Sequence, residues 1–195
     1  MNRTLAAALL ATLPGLALSL PRPPPQAPAT SEPPAPLTGM ALRSRIDAYL
    51  GSIDTPIGPE RWRALGPEAA QVLAERATSP DELPTVRARA VGGLAAVGGP
   101  RAEQVLGDLA QKEGEPYVVR VTAMHGAAKV LPEKKAVRLL RPLMEKAPEA
   151  RLRAAAAEAL ARGSRATCPA VEAQAGRETP EERVRFERAL ARCRD

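Results

Sequence analysis

Few side chains in this sequence could carry out chemistry. The 195 residues include one histidine, His125, and two cysteines, Cys168 and Cys193. A metal site needs several converging His, Cys or carboxylate ligands, and the sequence gathers no such set around His125. A general base needs a nucleophile or an orienting partner within hydrogen-bond reach. No G-x-S-x-G, H-E-x-x-H or glycine-rich phosphate loop occurs in the chain. The expectation is a helix histidine, partly exposed, with no catalytic, metal or cofactor role. Cys168 and Cys193 are expected to pair, given an oxidising compartment. A bridge over that loop would contribute roughly 3.5 kcal/mol by loop-closure entropy. A redox pair is the alternative, but the C-x-x-C spacing that usually marks one is missing.

The remaining chemistry is charge. The net charge is +6, and it lies almost wholly in the second half. Residues 40–110 hold 8 basic and 9 acidic groups, whereas residues 111–195 hold 18 and 12. A basic half suits an acidic partner or a polyanion. Arg120, Arg151, Arg153 and Arg162 are the candidate partner-binding residues. Stacking on nucleic-acid bases has little support, since the chain holds one Trp, two Tyr and one Phe.

The elements that must position these groups are helices. In EARLRAAAAEALARG (149–163), Leu152, Ala155, Ala156, Ala159, Leu160 and Gly163 fall on one stripe at helical spacing. Alanine, leucine, arginine and glutamate favour helix. Alanine buries little area, so the helix needs close neighbours. The pattern also recurs. VRARAVGGLAAVG (86–98) aligns with VRVTAMHGAAKVL (119–131) at an offset of 33 and with ARLRAAAAEALAR (150–162) at a further 31. This alignment matches Arg87 with Arg120 and Arg151, and Ala90 with Ala123 and Ala154. A second series, QVLAERA, QVLGDLA and RLLRPLM, aligns Leu73, Leu106 and Leu140 at offsets of 33 and 34. Breakers fall between helices at Gly99-Pro100, Leu131-Pro132 and Ala147-Pro148. A period of about 33 residues is the mark of a helical repeat array.

The pattern resembles bacterial HEAT-like repeats of the short type, with VR-x-x-A-x-x-A-L on one helix and a leucine-rich partner, over about residues 60–163. The resemblance implies an all-α fold, a short right-handed solenoid of antiparallel helix pairs. It also implies a non-catalytic scaffold that binds another protein on its concave face. A binder of anionic envelope polymer or nucleic acid is the alternative. HEAT-like bilin lyases are an enzymatic precedent, but no matching motif occurs here. Two departures stand out. Gly92-Gly93 lies inside a helix at about 1 kcal/mol per glycine, and Pro142 predicts a kink or an early break.

The ends differ. MNRTLAAALLATLPGLALSL reads as a secretory signal peptide over residues 1–19, with Ala17-Leu18-Ser19 a small-residue cleavage pattern. That predicts a periplasmic or secreted protein, associated with a membrane only if the segment stays uncleaved. Residues 20–39 read as a linker; eight prolines in residues 21–36 predict an extended spacer of about 50 Å, or a PxxP ligand. The repeat domain is expected over 40–195. Leu42, Ile46, Tyr49, Leu50 and Ile53 form a stripe suited to an N-terminal cap, and Trp62 reads as a cover for the open end of the stack or as a binding anchor. Thr179-Pro180-Glu181-Glu182 is a capping box that starts a last helix.

Overall fold

The computed structural model describes residues 37–52 and 55–194. The expected signal peptide, most of the proline-rich linker, and Ile53 lie outside the described residues. Among the described residues the fold is all-helical, with no strand. The helices are α1 (Gly39–Gly51), α2 (Pro59–Arg63), α3 (Ala69–Thr78), α4 (Pro84–Val97), α5 (Pro100–Gln111), α6 (Tyr117–Val130), α7 (Glu133–Lys146) and α8 (Ala150–Gly163), then α9 (Cys168–Arg177), α10 (Pro180–Arg183) and α11 (Glu187–Arg194). The folded part begins a little before residue 40: Leu37 packs on the core, and Gly39 is the first residue of α1.

Proline sets the starts. It opens α2, α4, α5 and α10 and caps α6 and α7 as Pro116 and Pro132. A proline there gives up an N–H that no helix carbonyl could accept, and its φ already suits a helix. α4 and α5 are joined through Gly98 and Gly99, at φ 75° and 87°, where a side chain would clash with its own backbone.

Successive helices pack on each other, α3 on α4, α5 on α6 and α7 on α8. The even-numbered α4, α6 and α8 also lie side by side, in closer contact than α3, α5 and α7. Leu73, Leu106 and Leu140 are fully buried, as their repeat spacing predicts, and so are Ala90 and Ala123. Small residues permit the close approach. A Cβ on Gly126 would stand 2.9 Å from Leu106 Cδ2 and 3.0 Å from Ala95 Cβ. A Cβ on Gly93 would stand 3.0 Å from the Trp62 ring. The cost of glycine at 93 therefore has a structural return, the seat for a buried tryptophan whose ring meets Tyr49 edge-on at 5.2 Å.

The third row of the repeat needs a correction of two positions. Arg87 Nε donates to the Ala77 carbonyl and Arg120 Nε to the Ala110 carbonyl. In α8 the arginine that does this is Arg153, whose Nη1 donates to the Ala147 carbonyl. The offset is 33 in both steps, Arg87 to Arg120 to Arg153. Burial follows this register: Ala156 and Ala159 in α8 take the places of Ala90 and Gly93 in α4. Arg151, matched with Arg120 in the sequence alignment, is exposed instead.

Two other expectations are refined. Of the kink or early break expected at Pro142, the break does not occur, and α7 runs on through it. Pro142 and Arg138 are both exposed, so the Arg138 carbonyl that loses its helical donor faces water. The last segment is not one helix. α10, a 3-10 turn (Val184–Phe186) and α11 follow in series, which lets Phe186 be fully buried while Val184 is exposed. Thr179 Oγ1 accepts from the Glu182 N–H, as the capping box predicts. Cys168 and Cys193 are joined by a disulfide, S–S 2.09 Å, tying the start of α9 to α11, which packs on α8.

Candidate functional site

The corrected register identifies a working face. On α4, Arg89, Gly92 and Ala96 follow one another at helical spacing. One repeat later, at an offset of 33, stand Thr122, His125 and Lys129, and a further 33 brings Ala155, Glu158 and Arg162. Side-by-side packing of α4, α6 and α8 turns these into rows across three helices. One row is Gly92, His125, Glu158 and another is Ala96, Lys129, Arg162.

Two cavities lie along this face. One, of about 500 Å3, reaches from Tyr49, Ile57 and Trp62 to Gly92 and Lys129. The other, of about 480 Å3, is lined by Gly92, His125, Lys129, Arg162 and Gly163. They adjoin at Gly92 and Lys129, which line both; the groove means the two together. Its floor is made of small residues, among them Gly92, Ala95, Gly126 and Ala128. The end near α2 is mostly apolar. The other end is cationic, and it continues past Arg162 to Arg165 and Arg192.

The balance of charge there is one-sided. Lys129, Arg162, Arg165 and Arg192 are all exposed. Two acids lie by them: Glu158, which accepts from Arg162 Nη2 at 2.9 Å and lies 3.7 Å from Arg192 Nε, and Glu133, which accepts from Ser164 Oγ at 2.5 Å beside Arg165. Four cations against two carboxylates leave the surface positive. His125 borders the cationic end. Its Nδ1 is buried with no hydrogen-bond partner. Burial lowers its pKa from the ordinary histidine value; Glu158 works the other way, and Arg162 and Arg192 add to the lowering. Burial thus favours the neutral ring, and its unsatisfied nitrogen costs stability.

The four arginines singled out from sequence divide. Arg162 lies on the groove. Arg120 is only 8% exposed and spends its Nε on the Ala110 carbonyl, so it is withdrawn from partner binding. Arg153 is also structural. It forms two bonds to Glu178, at 2.8 and 2.5 Å, reaches Glu182 at 3.3 Å and holds the Ala147 and Pro148 carbonyls. Its bonds to Glu178 raise its own pKa and lower that of Glu178. Arg151 is exposed but sits at the opposite end of α8, over the Tyr117 ring at 4.5 Å and beside Glu149 at 2.5 Å. Three groove residues, Lys129, Arg165 and Arg192, are not among those the sequence pattern singles out. The signal for Lys129 is present all the same, because Arg162 follows it one repeat later in the corrected register. Trp62 is buried, so it is not an exposed anchor.

Among the described residues no group of three or more His, Cys, Asp or Glu side chains is placed to hold a metal ion. No described helix is long and apolar enough to cross a membrane. No protein-family model matches the sequence, and no curated protein or solved structure matches it either.

Proposed function

We propose that the chain is an exported, non-catalytic helical-repeat scaffold that binds another protein through the groove over α4, α6 and α8. In this reading the helix pairs are antiparallel and form a short right-handed HEAT-like solenoid. The tighter row, α4, α6 and α8, is its concave side, because the more closely packed row of a curved stack lies inside. The signal peptide directs export, the proline-rich spacer is a tether, and the disulfide fits an oxidising compartment.

One observation carries the reading. An arginine-to-carbonyl bond recurs once per repeat in three successive helix pairs, from Nε to the carbonyl ten residues back in the first two and from Nη1 to the one six back in the third. A stack built this way spends its buried polar chemistry on architecture and leaves the groove face for contact. The test is affinity capture by the oxidised full-length protein from a solubilised envelope fraction, at low and high salt. The control carries Lys129→Glu and Arg165→Glu, both exposed, rather than a change at Arg153, whose loss would disturb the fold. One protein retained at both salts supports the scaffold. Retention of polyanions alone, washed off by salt, supports the second reading, a binder of anionic polymer. The excess of exposed cations there, Lys129, Arg162, Arg165 and Arg192, over the nearby carboxylates Glu158 and Glu133 favours that second reading.

A further inference from the structure

Resting on the scaffold reading, we propose that the groove recognises an extended protein segment in which an apolar side chain lies a few residues from a run of acidic ones. The two ends of the groove differ in chemistry. Near α2 the lining is mostly apolar, Pro56, Ile57, Pro59 and Ala96, with Ser52, Thr55 and one cation, Arg89, whose Nη1 donates to the Leu50 carbonyl. Beyond His125 it is cationic, with Lys129, Arg162 and Arg165 exposed. A polyanion of uniform charge matches only the second end. A plain apolar helix matches only the first. A chain carrying both matches the whole length.

The dimensions suit an extended strand of peptide. The groove crosses α4, α6 and α8 and reaches the C-terminal helix. Neighbouring helix axes lie about 8–10 Å apart, so the crossing spans roughly 20–30 Å. An extended peptide covers that in about six to nine residues at roughly 3.3 Å each. The small floor, Gly92, Ala95 and Gly126, lets a backbone lie close while its side chains reach the two ends. Glu158 is taken up by Arg162 and Arg192. That leaves Lys129 and Arg165, neither in an ion pair among the described residues, for the carboxylates of the segment. A second basic cavity, of about 510 Å3 and lined by Lys134, Arg138 and Arg141, lies along α7. It does not cross the helix row, and Arg141 is already paired with Glu145.

The experiment is fluorescence anisotropy with the oxidised full-length protein at about 150 mM salt, where long-range attraction is largely screened. The probes are labelled 12-residue peptides with two leucines four residues from four glutamates, in both orders. Controls replace the glutamates with glutamine or the leucines with serine, and a 12-nucleotide single-stranded DNA tests bare charge. The expected result is that one order binds at least about tenfold more tightly than either control and than the DNA, each end supplying a separable share of the affinity. Lys129→Glu with Arg165→Glu should abolish that advantage while the circular dichroism spectrum stays unchanged. An affinity indifferent to the two charge reversals sinks the proposal. DNA binding as tight as the peptide sinks it also, in favour of a polyanion site. So does no binding by any peptide. A partner captured from the envelope equally well by the charge-reversed protein would leave the scaffold reading standing on another face and remove this one.

Discussion

At the scale of single residues, adjacent glycines in α4 have opposite roles. Gly92 faces the groove, with nothing within 4 Å of where a Cβ would stand, while Gly93 seats Trp62 at 3.0 Å. Gly92→Ala should stabilise by about 0.5–1 kcal/mol, the helix-propensity gain. Gly93→Ala should destabilise, because the ring it would strike is braced by Tyr49. Urea midpoints of the two variants decide it; the same sign for both would contradict the packing. The two locking arginines also differ. Arg87 Nη2 meets Glu115 at 2.6 Å, with the side chains 8% and 4% exposed, and Lys112 holds the same carboxylate at 2.6 Å. Burial pushes the Glu115 carboxyl up, but Lys112 and Arg87 outweigh it and hold it below its ordinary value. Among the described residues no carboxylate forms such a pair with Arg120. Arg87→Met should cost about 2–3 kcal/mol, because it removes the bond to the Ala77 carbonyl and one of the two partners of the buried Glu115 carboxylate, which keeps Lys112. Arg120→Met should cost less than about 2 kcal/mol, since it loses one long bond to a carbonyl. Equal losses in chemical denaturation would show that the ion pair adds nothing to the lock. His125 adds a pH signature. Its folded pKa is lowered by burial, so the unfolded chain takes up the proton first as pH falls through about 6.5, and stability drops from there downward. Glu115 and Glu178, also lowered, cost stability only below about pH 4.5, where the unfolded chain begins to protonate them. Thermal unfolding of His125→Gln between pH 8 and 5 should therefore be flatter than that of the parent. A slope that survives the substitution must come from another group.

At the scale of elements, legibility in the sequence depends on how distinctive each helix is. α5 and α7 carry leucines at fixed places, so their alignment by Leu106 and Leu140 matches the buried positions. α8 carries alanine at nearly every core position, so a slip of two positions aligns as many alanines as the true register does. That slip places Arg151 where Arg153 belongs. It hides the lock, and it hides the row that joins Lys129 to Arg162. Residue type does not tell an arginine donating to a carbonyl inside the stack from one facing water, which is why Arg120 reads as a binding residue. The disulfide is legible because only two cysteines exist. Its effect should be confined to the C-terminal cap, where α9, α10 and α11 with the turn between them offer Val171, Ala175, Phe186 and Ala189 as the buried apolar groups. The bridge closes a sequence separation of 25. Reduction, or Cys168→Ser with Cys193→Ser, should lower stability by roughly 3.5 kcal/mol on loop-closure entropy. Hydrogen exchange should rise first in α9 to α11 and leave α3 to α6 protected. Uniform loss of protection would show that the cap and the stack unfold as one unit.

At the scale of the whole molecule, a stack of equivalent pairs should tolerate losing one unit whole but not a fraction of one. Joining Arg87 directly to Val121 removes one whole repeat, positions 88–120, and splices the start of α4 to the body of α6. The hybrid helix keeps an arginine against the Ala77 carbonyl, and Gly126 falls where Gly93 faces Trp62. Every interface is then replaced by its repeat equivalent, apart from the Glu115 ion pair, which is lost. The shortened protein should fold, with lower stability and a urea m-value reduced by about a fifth, since m follows the surface exposed on unfolding. A deletion shorter by two positions, which reproduces the slipped alignment, turns the spliced helix by about 200° at roughly 100° per residue. That points the arginine and the small residues away from α3 and should abolish cooperative unfolding. The comparison isolates register from length, because the two proteins differ in length by only two positions. If both fold alike, the interfaces are plastic enough to repack, and the arginine lock does not set the repeat. If only the whole-repeat deletion folds, the lock and the small-residue row define one unit, and a groove built from its outward positions can lengthen or shorten by whole units.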